Sequence, residues 1–407
     1  MMKTSEVQIF RRGFGLKEQV QEDLASDYRS RLVEEIRARG NRLEVEGLTL
    51  LLAKEFGFCY GVERAVDYAY ETRKRFPDRA IYLTTELIHN PRVNRCLQEM
   101  GIGFLNGPGP QDKRIEELTP RDVVIIAAFG TRVEEMEILK AKGSVLVDAT
   151  CGSVIQVWKR VEQYAREGFT AIVHGNYRHE ETRATVSRAA QFSGGKYVVV
   201  WDKAEAGKVC DYIRWGGDRQ VFLSDFAVKC SPGFDPDMDL ERVGVANQTT
   251  MLSSESLEIG QMLKESVVER YGVGQMEDHF RNFDTICSAT QDRQDAILDL
   301  VKQSVDLVII IGGFNSSNTN HLCEIASQYA PAYHIDEASG ILSAQAIRHK
   351  PVGKSDSVVT QGWLPPSKPV TIAVTAGAST PNRVIGDAIE RILMARGHSV
   401  EGLGLKQ

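Results

Sequence analysis

The sequence lacks most of the signatures that would place a chain of 407 residues at once. It contains no GxxxxGK[ST] phosphate loop and no GxGxxG turn, so neither a nucleoside triphosphate nor a dinucleotide is indicated. Its longest apolar runs, "VVIIAAF" at 123–129 and "LVIII" at 307–311, fall far short of the roughly 18 residues that a membrane-spanning helix needs. The opening "MMKTSEVQIFRRG" has no signal-peptide apolar core, so a cytoplasmic protein with no membrane partner is expected. Blocks of like charge are missing too. Lys plus Arg number 49 against 55 Asp plus Glu, a net charge of -6, which leaves no electrostatic footprint for nucleic acid. Any anionic ligand must therefore be met by local groups. Seven cysteines, an odd number with no CxxC pair among them, argue against a disulfide framework and against a zinc ribbon.

What is present is an ordinary globular composition, 42% hydrophobic and 26% charged, on a chain long enough for about two or three domains of roughly 150 residues. Residues 1–49 carry nine basic and nine acidic residues, and Val20, Leu24, Tyr28, Leu32 and Ile36 recur every four positions. That stripe predicts one amphipathic helix in a packed N-terminal extension with a docking role. From residue 50 the pattern alternates strand, polar loop and helix: "LTLLLAKEFGF", "DVVIIAAFG", "GSVLVDATC", "FTAIVHGN", "KYVVVWD", "RVGVANQTT", "VDLVIIIGGFN" and "VTIAVTAGAS". Short Val/Ile-rich runs ending in Gly and small polar residues read as buried parallel strands, and the fold class is α/β. "NGPGPQDK" at 106–113 and "GWLPPSKP" at 362–369 read as surface connections, and "CSPGFDPDMD" at 230–239 as an excursion.

A coarser threefold organisation runs through the chain. "GFCYGVERAVDYAY", "DATCGSVIQVWKRV" and "DTICSATQDRQDAILDLV" each place a cysteine where an extended segment hands over to a helix. The divisions that follow are 50–149 with Cys59, 150–285 with Cys151, and 286–407 with Cys287 and a C-terminal segment. A helix amino terminus favours thiolate, the metal-binding form. Three such thiols, separated by 92 and 136 residues, could bind zinc with a fourth ligand, hold an iron-sulfur cluster, or include one nucleophile and two bystanders. Cys96, Cys210, Cys230 and Cys323 read as small buried hydrophobes.

Several strands end in short donor-rich loops: "QTT" (Gln248, Thr249, Thr250), "NSSN" (Asn315 to Asn318) and "GAS" (Gly377 to Ser379). In open α/β folds ligands collect beyond the carboxyl ends of strands, where hydroxyl and amide groups can surround phosphate oxygens. Two histidine loops join them, "ELIHNP" with His89 and "VHGNYRHEET" with His174, His179, Glu180 and Glu181. Protonated histidines among hydroxyl loops could hold a diphosphate without a metal. Glu181 could donate a proton if burial raised its pKa.

Together these pieces resemble the 4-hydroxy-3-methylbut-2-enyl diphosphate reductases, the last enzymes of the methylerythritol phosphate route to isoprenoids. "GFCYGVERA", "HN" at 89–90, "DATC", "HGNYRHEET", "NQTT", "DTICSATQDRQ", "GGFNSSNT" and "TAGAST" occur in the family's order over residues 56–380. The resemblance implies a trefoil of three α/β units around one 4Fe-4S cluster held by Cys59, Cys151 and Cys287, with the fourth iron open to the substrate's hydroxyl. Two electrons and two protons would remove that hydroxyl as water and leave isopentenyl and dimethylallyl diphosphates. By the same match His89, His179, Ser316, Ser317, Asn318 and Ser379 would hold the diphosphate, with His174 and Thr250 as further contacts. Glu181 would relay the proton, with Thr249 beside the substrate hydroxyl. The chain departs from the shorter bacterial pattern in its N-terminal extension, in an insertion at about 202–240, and in "RHEE" where His-Pro-Glu is common; the two-residue offset from His179 selects Glu181 over Glu180. The extended form looks like the branch of oxygenic phototrophs, so reduced ferredoxin is the expected external one-electron donor, and a homodimer is left open. A phosphate-ester hydrolase or transferase with a cysteine nucleophile is the alternative from a different class. A zinc-stabilised binding module is a third, for which the polar loops give no reason.

Overall fold

A computed structural model describes residues 8–283, 285–365 and 369–404; Asp284, the aspartate of the second Asp-Cys echo, lies outside the described residues, as do the first seven and the last three. The contacts divide the chain into two compact units. In one, which we call the mid-chain unit, the described residues up to Phe10 join Lys113–Cys287; in the other, the end-segment unit, Arg11–Asp112 joins the residues from Ser288 onward.

All eight anticipated strands form. In the mid-chain unit Val123–Ile126 and Val145–Asp148 run parallel, and Ile9–Phe10 adds to the latter. A second sheet of this unit has the order Phe280–Asn282, Val243–Asn247, Thr170–His174, Tyr197–Val200, all parallel. The end-segment unit is built on five strands in the order Ala332–Ile335, Leu307–Ile311, Val370–Ala376, Leu48–Leu52, Arg42–Val45, parallel except for the last pair. Strands such as Leu307–Ile311 and Thr170–His174 are buried at every residue, the consequence of a parallel sheet covered on both faces. Their carboxyl ends carry the polar loops singled out above.

The extension differs from the single helix that the apolar stripe predicts. Helix Lys17–Tyr28 stops at Arg29, whose backbone is extended, and Ser30 caps a second helix, Arg31–Ala38, by accepting from the amide of Val33. The four-residue spacing survives the break because Val20, Tyr28, Leu32 and Ile36 are all buried. The insertion near 202–240 is a working part of the mid-chain core rather than a loose excursion. Phe222, Phe226 and Phe234 stack within it and pack against Ile213 and Val243, and Cys230 bridges to Val198. The 106–113 connection is a surface loop gathered by Asp112, which accepts from the amides of Phe104 (2.7 Å) and Gly109 (2.6 Å). In the 362–369 connection Trp363 and Leu364 are buried, while residues 366–368 lie outside the described set.

Candidate active site

The site residues fall into one group in each unit. In the mid-chain unit, strand Thr170–His174 leads into helix Glu180–Ala190 through a loop that His179 closes. The His179 Nδ1 accepts from the amide of Glu181 at 3.1 Å. A ring nitrogen that accepts carries no proton, so the donor of His179 is Nε2, and the ring can donate without being charged. The edge of Phe129 meets this ring with centroids 5.4 Å apart, which fixes its plane.

Two residues on, Glu181 is 2% exposed, whereas Glu180 is half-buried. One oxygen of the Glu181 carboxylate accepts from the amide of Thr249 at 2.6 Å and the other from the Thr249 hydroxyl at 3.0 Å. The Thr249 carbonyl in turn accepts from the amide of Cys287 at 3.3 Å. A short backbone step therefore joins the buried acid to a thiol. Gln248 sets the loop: its Oε1 accepts from the Asn176 amide (3.1 Å) and the Thr182 hydroxyl (3.0 Å), and its Nε2 donates to Thr250 Oγ1 (2.9 Å). Asn247 donates to Thr285 Oγ1 at 2.7 Å, tying down the segment that carries Cys287. His174 is fully buried, with Nδ1 2.8 Å from Ser256 Oγ.

In the end-segment unit three loops meet. His89, 8% exposed, donates from Nδ1 to the Glu86 carboxylate at 3.0 Å, the opposite arrangement to His179. Because a carboxylate only accepts, His89 can offer an anion a proton from Nε2 only as the imidazolium. Gly313 lies against this loop, and a Cβ there would stand 2.3 Å from the His89 carbonyl, so no other residue fits. Ser379 donates to the same carbonyl at 3.2 Å. Ser316 caps helix Ser317–Ser327, accepting from the Thr319 amide (3.3 Å) and hydroxyl (3.0 Å), so its own hydroxyl proton points to a further acceptor. Asn318 accepts from the Ala378 amide at 2.9 Å through Oδ1, and its buried Nδ2 has no protein partner. A buried donor without an acceptor costs about 1–3 kcal/mol, and an anion at this helix amino terminus removes that cost. The Ala378 carbonyl accepts from the amide of Cys59 at 3.1 Å. As in the mid-chain unit, a thiol-bearing residue is tied by its backbone to a loop of candidate site residues.

Sequence reasoning missed the groups that hold the "GGFNSSN" loop from behind. His334 Nε2 donates to the Gly312 carbonyl at 2.8 Å, and Lys350 Nζ donates to the Phe314 carbonyl at 2.6 Å and to Asn320 Oδ1 at 3.4 Å. Burial pushes the His334 imidazole down to about 4 and lowers the Lys350 ammonium as well. Neither residue belongs to a motif; only their buried partners reveal them.

The three thiols share a setting that the other four lack. Cys59 and Cys151 are the capping residues of helices Tyr60–Arg75 and Gly152–Glu167, and Cys287 immediately precedes Ser288–Val301 in the chain. Each donates its amide to a loop carbonyl, of Ala378, Ala128 and Thr249 respectively, and each is partly exposed. Of the other four, Cys210 and Cys323 are buried as expected, which pushes their thiols up to about 11 and about 12, whereas Cys96 and Cys230 are only partly buried, contrary to expectation, with desolvation still raising their thiols. What sets Cys59, Cys151 and Cys287 apart is their place at the start of a helix, where the local dipole favours the metal-binding thiolate.

The sequence model of the LytB protein family matches residues 50–393. Among curated relatives, the 4-hydroxy-3-methylbut-2-enyl diphosphate reductase of Gloeobacter violaceus is 49% identical over 97% of this chain and 94% of its own. That of Thermosynechococcus vestitus is 48% identical over 95% and 94%. The first alignment leaves 3% of this chain uncovered, so it takes in most of the N-terminal extension. A solved (E)-4-hydroxy-3-methyl-but-2-enyl diphosphate reductase, described as the terminal enzyme of the non-mevalonate pathway, aligns with a TM-score of 0.50 at 28% identity, covering 84% of this chain and 98% of that one. The reductase structure from Plasmodium falciparum aligns with a TM-score of 0.61 at 22% identity, over 86% and 90%, and speaks to the fold alone.

Proposed function

The chain belongs to the LytB family, and we infer from this that it is a 4-hydroxy-3-methylbut-2-enyl diphosphate reductase, an oxidoreductase that ends the non-mevalonate route to isoprenoids. We propose that it works at one 4Fe-4S cluster held by Cys59, Cys151 and Cys287 in a trefoil of three α/β units. When bound, that group supplies an open iron site for the substrate's hydroxyl and a conduit for electrons from an external one-electron donor, a reduced ferredoxin.

The chain's own residues do the rest. Ser316, Ser317, Asn318, Ser379 and His89 grip the diphosphate, with His179 donating from Nε2 and His174 and Thr250 supporting the loops behind. Donors in fixed positions stabilise the anion without reorganising. Glu181 delivers a proton to the leaving oxygen, with the Thr249 hydroxyl orienting that oxygen beside it. Protonation lowers the charge that builds as the C–O bond breaks, so water leaves in place of hydroxide. Two electrons and two protons taken up balance one water released and one isopentenyl or dimethylallyl diphosphate formed.

The observation that carries this reading is the backbone link from Cys287 through Thr249 to both oxygens of the buried Glu181 carboxylate. It joins the backbone of a proposed metal ligand to the buried acid in one hydrogen-bonded network. The test is anaerobic incubation with the diphosphate substrate and a one-electron donor, for the native chain and for each Cys→Ser change. Loss of product and of iron at positions 59, 151 and 287, with both kept at positions 96, 210, 230 and 323, is expected. Equal effects at all seven would count against it.

A further inference from the structure

The extension that precedes residue 50 reaches the approach to Cys59, and all the groups involved lie in the end-segment unit. Arg37, on helix Arg31–Ala38, donates from Nη2 to the carbonyl of Phe56 at 3.2 Å, and its guanidinium sits 4.1 Å over the buried Phe56 ring. Arg293, 4% exposed on helix Ser288–Val301, donates to the carbonyl of the next residue, Gly57, at 2.6 Å. Its other terminal nitrogen donates to Ala289 at 2.7 Å, which braces it on its own helix. Gly57 has φ +83, and a Cβ there would stand 2.9 Å from Asn382 Oδ1, so the turn accepts only glycine. Phe58 then packs on Tyr28, with ring centroids 5.7 Å apart. Two consecutive carbonyls, two and three residues ahead of the thiol, thus each hold a guanidinium, one of them supplied by the extension.

Burial lowers the Arg37 guanidinium from its ordinary value, the carboxylates of Glu55 and Glu34 oppose that, and the nearby charge of Arg293 adds to it. The arrangement keeps two like charges close together, that of buried Arg293 and that of Arg37, an exposed residue whose guanidinium lies over the Phe56 ring, and hydrogen bonding alone does not require charge there; a glutamine would donate equally well. We propose that Arg37 and Arg293 form a clamp on the carbonyls of Phe56 and Gly57 that positions Cys59 and makes the metal centre held there easier to reduce. This rests on the reading of Cys59 as a cluster ligand. Reduction moves one electron from the external carrier, which is oxidised by one electron, and adds one negative charge to the centre. Fixed positive charge beside a ligand stabilises the reduced form, one of the levers by which a protein sets a cluster's potential. The extension thereby acquires a role in electron uptake without touching the substrate.

The test is an anaerobic redox titration of the iron-loaded full chain, followed by absorbance and paired with iron and sulfide analysis, for the native protein, Arg37→Gln and Arg37→Lys. Arg37→Gln keeps a donor for the Phe56 carbonyl and loses the charge. It should hold the native amount of iron yet titrate at a more negative potential, so that at the poise that half-reduces the native centre its reduced-to-oxidised ratio falls about tenfold, the scale of one nearby charge in partly exposed protein. Arg37→Lys should restore the native midpoint, a rescue that a purely structural role would not produce. A Gln variant that titrates with the native protein overturns the proposal, as does a Lys variant shifted as far as Gln. If Arg37→Gln fails to fold, the Lys variant decides alone, since a negative shift with charge retained contradicts the clamp and a native midpoint supports it. A native protein that binds no iron would instead refute the cluster itself, which the iron analysis reports separately.

Discussion

Glu181 is 2% exposed and each of its carboxylate oxygens accepts from Thr249, one from the amide and one from the hydroxyl, so the Thr249 hydroxyl is in direct contact with the acid. Glu181→Gln preserves the shape and one acceptor while removing the transferable proton. Turnover should fall by about 10²–10⁴, the usual worth of a general acid, with substrate affinity changed no more than a few-fold by calorimetry; unchanged turnover would reassign the acid. His334 gives a prediction of another kind. Its imidazole titrates at about 4 in the folded chain against an ordinary 6.5, because burial disfavours the charged form. The unfolded chain therefore takes up this proton first as pH falls. The stability that neutral His334 supports is complete above pH 6.5 and is lost as pH falls towards 4, in all about 3 kcal/mol. Urea unfolding of His334→Gln should show a shallower loss across that window than the native chain, while parallel curves would show that the histidine does not titrate as described.

Among the elements, the hairpin Ala346–His349 with Val358–Gln361 holds the "GGFNSSN" loop, the proposed diphosphate site, through Lys350, the residue just after its first strand. Lys350→Met removes the donor to the Phe314 carbonyl without touching a proposed ligand. The loop should loosen and KM rise about tenfold, as expected for a lost charged hydrogen bond, with kcat little altered; steady-state kinetics under anaerobic conditions separate the two. The break at Arg29 and Ser30 makes a second element-scale prediction. Ser30→Ala removes the cap on helix Arg31–Ala38 and should lower stability by about 1 kcal/mol, readable in thermal unfolding. The buried parallel strands were legible because eight Val/Ile-rich runs end in Gly or small polar residues. Ile81–Leu83 and Ile102–Phe104, three residues each, carry too little pattern to be read, and the Val358–Gln361 strand is largely exposed. The helix break was missed because buried Tyr28 and Leu32 keep the four-residue period across it; the serine ahead of "RLVEE" was the signal available.

Across the whole molecule, the thiols and strand-end loops were legible as separate motifs, since each is a short local string at a strand-to-helix junction. What the sequence could not convey is how backbone groups couple them: Cys59 to the loop of Ser379 through Ala378, and Cys287 to Glu181 through Thr249. Nor could it convey that Nδ1 accepts in His179 and donates in His89, because that depends on the amide of Glu181 and on Glu86. No described helix is long and apolar enough to cross a membrane, and the net charge of -6 leaves recognition of any acidic electron carrier to local groups. The account depends on three thiolates from distant parts of the chain sharing one inorganic cofactor. The most direct measurement is a visible spectrum of protein purified without air, taken before and after dithionite, with iron and sulfide assayed on the same sample. A coloured protein with about four irons and four sulfides per chain, whose absorption bleaches on reduction, is the predicted result; a colourless protein that reduces the diphosphate at full rate would contradict it.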